Sequence, residues 1–218
     1  MTDGLAAVLF DMDGLLVDTE PLWLEAETEV MARLGAPWTK EDQEQLLGGS
    51  MARTVGYILA RATKPAAPEQ IAHWLMEGML KRAAEGRIAI QPGARQLLDA
   101  VAAAGLPYAL VTSSQRAFAD AVVRGAGFRF PVTITGEDVA NTKPDPEPYR
   151  LAAKLLDAAP EDCVALEDSP NGVASATAAG CHVIAVPSLL PIPPADRRLV
   201  VRSLTEVTIP TLRALAAA

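Results

Sequence analysis

The strongest constraint on this chain is a recurring pattern: short runs that are apolar almost throughout, set between helices. Ala7-Val8-Leu9-Phe10, Tyr108-Ala109-Leu110-Val111, Val164-Ala165-Leu166 and His182 to Val186 are such runs. A strand exposed on one side alternates polar and apolar residues, so unbroken apolarity of this length marks a strand covered on both faces. Helical spacing fills the intervals, from Gly93 to Ala104 with Gly105 as the stop, then to about Arg124, from Glu147 to Leu156, and up to Ala179. Val132-Thr133-Ile134-Thr135 and Leu199-Val200-Val201 supply two further short strands. Strands that alternate with helices join in parallel through crossovers, which puts helices on both faces of the sheet. The expected fold class is α/β, a Rossmann-like parallel sheet.

One block breaks the alternation. Thr19 or Glu20 opens a helix with Pro21 in its first turn, and Leu22, Trp23, Ala26, Val30 and Leu34 recur at helical spacing until Gly35. Thr39 and Asp42 form a near capping box, with Asp where Glu or Gln is usual, Gly48-Gly49 interrupts, and Ser50 caps a helix to about Ala62. Pro65 and Pro68 then turn the chain into a helix from about Glu69 to Glu85. Residues 16–88 carry no strand signal and are expected to form an inserted all-helical domain, with 1–15 and 89–218 as the two parts of the core. Trp23, Trp38 and Trp74, all the tryptophans of the chain, fall in the insertion and are expected to build its small apolar centre.

Composition removes several function classes. The 50% hydrophobic content is ample for a full core. A net charge of -8 without any run of Lys or Arg gives no footing for a nucleic acid or an anionic membrane. No basic segment precedes Leu5 to Phe10, which is too short for a signal peptide or a membrane span, so a cytoplasmic location is expected. Cys163 and Cys181 adjoin strands and are expected to pack as small apolar residues, not as a disulfide. With only His73 and His182, and no Cys/His cluster, a zinc hydrolase and a Ser-His-Asp triad both lack parts. Pro187 to Pro194 reads as a stiff surface loop.

In a parallel sheet the carboxyl ends of all strands lie on one edge, so residues far apart in sequence converge there. Asp11 and Asp13 follow the first strand, Thr112 and Ser113 the strand from Tyr108, and Glu167 and Asp168 the strand from Val164, while Lys143 lies in a polar loop before Pro144. Asp11 and Asp13 project to the same side of an extended chain, and Gly14 lets the backbone turn away. Carboxylates this dense repel one another unless a cation sits among them, and a donor set of oxygens alone points to Mg²⁺. A calcium loop is excluded, because Leu15 takes a ligand position and Leu22 stands where the bidentate Glu belongs. Neither a Walker lysine loop nor a dinucleotide glycine fingerprint is present. A phosphate would be held by the Thr112 hydroxyl, the amides after Ser113 and the Lys143 ammonium.

Asp-x-Asp-Gly after the first strand, a hydroxyl residue ending the next, Lys143-Pro144-Asp145-Pro146 and Glu167-Asp168-Ser169-Pro170-Asn171-Gly172 together resemble the four motifs of the haloacid dehalogenase superfamily of phosphohydrolases. The resemblance covers nearly the whole chain, and the insertion is placed as in the branch with a helical cap after the first motif. It implies that Asp11 is the nucleophile, forming an aspartyl-phosphate, and that Asp13 protonates the leaving alcohol and then activates water. Forced beside an ionised neighbour and away from bulk water, Asp13 can hold the proton that this role needs. By the same resemblance Mg²⁺ is bound by Asp11, the Asp13 carbonyl and Asp168, with Glu167 in or behind the coordinating set. Thr112 and Lys143 hold the phosphoryl oxygens, and the cap serves as a lid.

Within that branch, Asp18-Thr19-Glu20-Pro21-Leu22-Trp23 is similar to bacterial sugar-phosphate and 2-deoxyglucose-6-phosphate phosphatases, with β-phosphoglucomutase more distant. The cap histidine of the mutases falls on Trp23, and their cap arginine falls on Met51, two residues before Arg53. Hydrolysis of a small sugar or polyol phosphate is therefore the expected activity, with a phosphosugar mutase as the alternative. A catalytically silent interaction protein is a further alternative, against which the intact motif set argues. Asp13 argues against dehalogenation, and no cap lysine sits in a recognisable phosphonate-hydrolase site. Glu20, Trp23 and Arg53 are candidate contacts to the organic part of the substrate. A monomer is the default expectation for a lidded enzyme that must open.

Overall fold

The computed structural model describes residues 4–46 and 50–218, so the expected break at Gly48-Gly49 lies outside the described residues. Two compact units are present, one holding the chain up to Asp18 together with Ala89–Ala218, the other Thr19–Ile88. In chain order the elements are β1 (Ala7–Phe10), β2 (Val17–Asp18), α1 (Glu20–Arg33), α2 (Lys40–Glu44), α3 (Met51–Arg61), α4 (Pro68–Ala84), β3 (Ala89–Ile90), α5 (Ala94–Ala103) and β4 (Tyr108–Val111). They continue with α6 (Arg116–Ala126), β5 (Val132–Ile134), α7 (Glu147–Leu155), β6 (Cys163–Glu167), α8 (Pro170–Ala179), β7 (His182–Ala185), β8 (Arg198–Val200) and α9 (Ile209–Ala216).

The larger unit is built on a six-stranded sheet in the order β5-β4-β1-β6-β7-β8, with every pair parallel. The unbroken apolarity of β1 is explained by its place: it pairs with both β4 and β6, setting Leu9 beside Ala109 and Ala165, and all four of its residues are fully buried. Alternate residues serve opposite faces. Ala7, Leu9, Ala109, Val111, Cys163, Ala165, Val183 and Ala185 join the apolar faces of α7 and α8 in one cluster. Val8, Phe10, Leu110, Val164 and Leu166 are buried as well. Both cysteines are buried free thiols, which burial pushes up to about 12, as expected of packing residues.

The structure departs from the sequence expectations at several points. Val17–Asp18, inside a stretch read as wholly helical, is a strand that pairs antiparallel with Ala89–Ile90. The strand read as Leu199 to Val201 begins one residue earlier, at Arg198. The helix α9 was not expected at all, although its start is well marked: the Thr208 hydroxyl accepts from the Thr211 amide at 3.3 Å and Pro210 lies in the first turn.

In the smaller unit the Thr39–Asp42 capping box is complete, with Thr39 N donating to Asp42 Oδ2 at 2.9 Å and Asp42 N to Thr39 Oγ1 at 3.3 Å. Helices α1 and α4 pack together, fastened by the buried Arg82, which reaches Glu25 at 3.0 Å and Glu29 at 2.6 Å. Trp38 is buried edge-on against Tyr57 and donates its indole N–H to Glu27 at 3.1 Å, while Trp23 and Trp74 are only half-buried. No helix among the described residues is long and apolar enough to cross a membrane.

Candidate active site

Because β4, β1 and β6 are neighbours, Thr112, Asp11 and Glu167 with Asp168 come out of the same sheet edge side by side. Lys143 is brought to them by a loop that the chain fastens at several points. Glu147, at the start of α7, accepts from the amides of Ala140 and Asn141, both at 2.9 Å, and Asp145 Oδ1 accepts from Glu147 N at 2.9 Å. The Ser175 hydroxyl on α8 donates to the Asp145 carbonyl at 2.5 Å. The ammonium of Lys143 then spends its three N–H donors on Asp11 Oδ1 at 2.5 Å, Glu167 Oε1 at 2.6 Å and the Val111 carbonyl at 2.8 Å.

The acids are packed closely. Carboxylate oxygens of Asp11, Glu167 and Asp168 all lie within 4.8 Å of one another, and all three residues are buried. Asp13 is half-buried and turns toward the end of β4, accepting from Ser114 Oγ at 2.8 Å and Thr112 Oγ1 at 3.3 Å. Two glycines make room for this packing. At Gly14, where φ is +85°, a Cβ would stand 2.0 Å from Asp168 Oδ2, and at Gly172 it would stand 1.9 Å from the Glu167 carboxylate.

The electrostatics follow from burial. Loss of water pushes the Asp11 carboxyl well above its usual range; Lys143 pulls it down, while Glu167, Asp168 and Asp13 push it further up. Burial and the charge of Glu167 raise Asp168 to about 7, opposed by the hydrogen bond that Ser188 Oγ donates at 2.6 Å and by Lys143. Burial opposes the charge on Lys143 too, but Asp11 and Glu167 outweigh it and the ammonium is held above its ordinary value. One ammonium thus faces a cluster of acids whose ionisation burial still disfavours. A hard divalent cation with oxygen ligands would remove that imbalance, so the residues present fit Mg²⁺, with Asp11 and Asp168 the best placed side chains to hold it.

Of the residues expected from sequence, Asp11, Asp13, Thr112, Lys143, Glu167 and Asp168 meet at this edge. Ser113 is exposed, and it is the next hydroxyl, Ser114, that reaches Asp13; the Ser114 amide, expected to be offered to phosphate, donates to Thr112 Oγ1 at 3.0 Å. Glu20, Trp23 and Arg53 belong to the smaller unit: Glu20 Oε2 accepts from Gln43 Nε2 at 3.2 Å, Trp23 is half-buried on α1, and Arg53 Nη2 donates to the Gln45 carbonyl at 2.7 Å. Three site residues escaped the sequence reading: Ser114, Ser188 and Tyr149, whose hydroxyl donates to Glu167 Oε1 at 2.6 Å.

Known proteins share this arrangement of elements. Over 205 residues, 92% of each chain, the sequence is 38% identical to hexitol phosphatase A of Escherichia coli strain K12. It is 33% identical to the phosphorylated carbohydrates phosphatase of Thermotoga maritima, covering 83% of this chain and 84% of that one. CbbY from Rhodobacter sphaeroides, solved with xylulose-1,5-bisphosphate, superposes with a TM-score of 0.85 at 32% identity, covering 95% of this chain and 99% of that one. The model of the haloacid dehalogenase-like hydrolases matches residues 8–186, a span that opens inside β1 and takes in Asp11, Asp13, Thr112, Ser114, Lys143, Glu167 and Asp168. By sequence and by fold alike, this chain belongs to the haloacid dehalogenase-like hydrolases.

Proposed function

We propose that the chain is a Mg²⁺-dependent phosphatase that hydrolyses a small phosphorylated sugar or polyol through an aspartyl-phosphate on Asp11. The observation that carries this reading is the contact of Lys143 with both Asp11 and Glu167 at a sheet edge where Asp13, Thr112 and Asp168 also end. A carboxylate repels a phosphate, and this arrangement supplies one cation beside the carboxylate and places for another. The names of the relatives support the substrate class: they are phosphatases of hexitols and of phosphorylated carbohydrates.

In the first half-reaction an Asp11 carboxylate oxygen attacks phosphorus, the ester P–O bond breaks, and the departing alkoxide takes a proton from Asp13. In the second, Asp13 removes a proton from water, whose oxygen attacks the same phosphorus, freeing inorganic phosphate and the Asp11 carboxylate. Acid and base assistance of this kind is worth roughly 10² to 10⁴ in rate. Lys143 and the Thr112 hydroxyl bind the phosphoryl oxygens on which charge gathers. When bound, Mg²⁺ would neutralise the acid cluster and draw electron density from the phosphoryl group. Asp11, the Asp13 carbonyl and Asp168 would hold it, with Glu167 in or behind that set. Glu20, Trp23 and Arg53 are the proposed contacts to the organic part of the substrate.

The test is Asp11→Asn assayed on p-nitrophenyl phosphate with circular dichroism alongside. Loss of turnover in a folded protein is expected; undiminished turnover removes Asp11 as nucleophile. EDTA is expected to stop the native enzyme and added Mg²⁺ to restore it. Phosphorus NMR with β-glucose 1-phosphate separates hydrolase from mutase, since inorganic phosphate marks the first and accumulating glucose 6-phosphate the second.

A further inference from the structure

Tyr149 has no part in the chemistry above, yet its hydroxyl ends in the middle of it. The residue is fully buried on α7, in the apolar cluster with Ala152 and Ala153. Packing alone would be served by phenylalanine, and a buried hydroxyl costs free energy unless it finds a partner. Its partner is Glu167 Oε1 at 2.6 Å, the same oxygen that Lys143 reaches at 2.6 Å. The tyrosine ring also lies against the lysine, with Nζ 5.1 Å from the ring centroid. The other carboxylate oxygen of Glu167 accepts from the Asp168 amide at 3.2 Å and the Ser169 hydroxyl at 3.4 Å.

Both oxygens of Glu167 are therefore engaged by the chain. We infer that Tyr149 is a positioning residue: by sharing Glu167 Oε1 with Lys143 it limits how far the glutamate draws the ammonium, and so keeps Lys143 beside Asp11 where the phosphoryl group must be bound. Without the hydroxyl, Oε1 loses a donor, and its charge falls more fully on the Lys143 ammonium. The ammonium then moves toward Glu167 and away from the reacting phosphorus. A group displaced in this way loses interactions made in the transition state more than those made with the bound ester.

This inference rests on the phosphatase reading for its kinetic arm only. Tyr149→Phe keeps the ring and removes the hydroxyl; the expected result is a fall in kcat for p-nitrophenyl phosphate of about tenfold, the size of one charge-assisted hydrogen bond, with KM changed by less than about twofold. The second arm needs neither metal nor substrate. In the metal-free protein the ¹⁵N ammonium resonance of Lys143, assigned by its loss in Lys143→Met, is expected to shift in Tyr149→Phe. In a Glu167→Gln background the same substitution should leave that resonance where Glu167→Gln alone put it. Native kcat in Tyr149→Phe, an unmoved resonance, or an equal shift in both backgrounds each overturns the role. Failure of the native protein to hydrolyse p-nitrophenyl phosphate or any phosphorylated sugar or polyol would count against the phosphatase reading and leave the resonance experiment intact.

Discussion

Replacing Glu27 by glutamine is expected to stabilise the helical unit at alkaline pH and leave it unchanged in acid. Glu27 is buried on α1, where its carboxylate accepts the Trp38 indole N–H at 3.1 Å. Burial first, and then the charge of Glu20, raises it from the ordinary 4.5 to about 7, with the indole hydrogen bond pulling back. An acid raised on folding contributes its full share below its unfolded value, here 4.5, and that share is lost as pH climbs through about 7. The difference corresponds to about 3 kcal/mol once the group is ionised in both states. Glutamine keeps an oxygen for Trp38 and carries no charge. Urea unfolding followed by tryptophan fluorescence suits the test, because all three tryptophans lie in this unit. At pH 8.5 the variant should exceed the native protein by up to about 3 kcal/mol, and at pH 4.5 the two should agree within about 0.5 kcal/mol. An equal difference at both pH values, or a less stable variant at pH 8.5, would refute the reasoning.

Two further outcomes follow from the site. Lys143→Met leaves the buried acids without their ammonium, so the metal-free protein should lose about 3 kcal/mol or more in denaturant unfolding, with added Mg²⁺ recovering part of it. Gly172→Ala drives a methyl into the space of the Glu167 carboxylate, 1.9 Å away; kcat should fall at least about tenfold and stability by roughly 1 to 3 kcal/mol, and a native kcat would show that the glutamate can move aside freely.

The sheet and the meeting of Asp11 with Lys143, 132 residues apart, were legible because parallel topology sends every strand end to one edge and the acids, hydroxyls and lysine stood at those ends. Ser114 does carry a signal in the sequence. The rule that puts Asp11 and Asp13 on one side of an extended chain also puts Thr112 and Ser114 on one side and Ser113 on the other. Tyr149 looked like core because it is core; only the third dimension reveals that its hydroxyl leaves the apolar layer at Glu167. Ser188 lies in the loop after β7, 20 residues from Asp168, and nothing periodic points to it. β2 and β3 have two residues each, too few to show a period, and α9 offered little beyond its cap because Leu212 is its one buried residue.

The pairing of β2 with β3 has a consequence for how such a chain can change. Val17 lies opposite Ile90 and Asp18 opposite Ala89, so the outgoing and returning segments leave the larger unit as adjacent strands, held by their own ladder. The Gln91 side chain adds a clasp, donating to the Gly14 carbonyl at 3.0 Å. Loop closure becomes only slowly more costly with length, and here the ends are already brought together by the unit that stays behind. Whatever is spliced between Asp18 and Ala89 meets the same doorway. An insertion of another size or fold can be exchanged there without shifting the register of β1, so Asp11 keeps its place at the end of that strand.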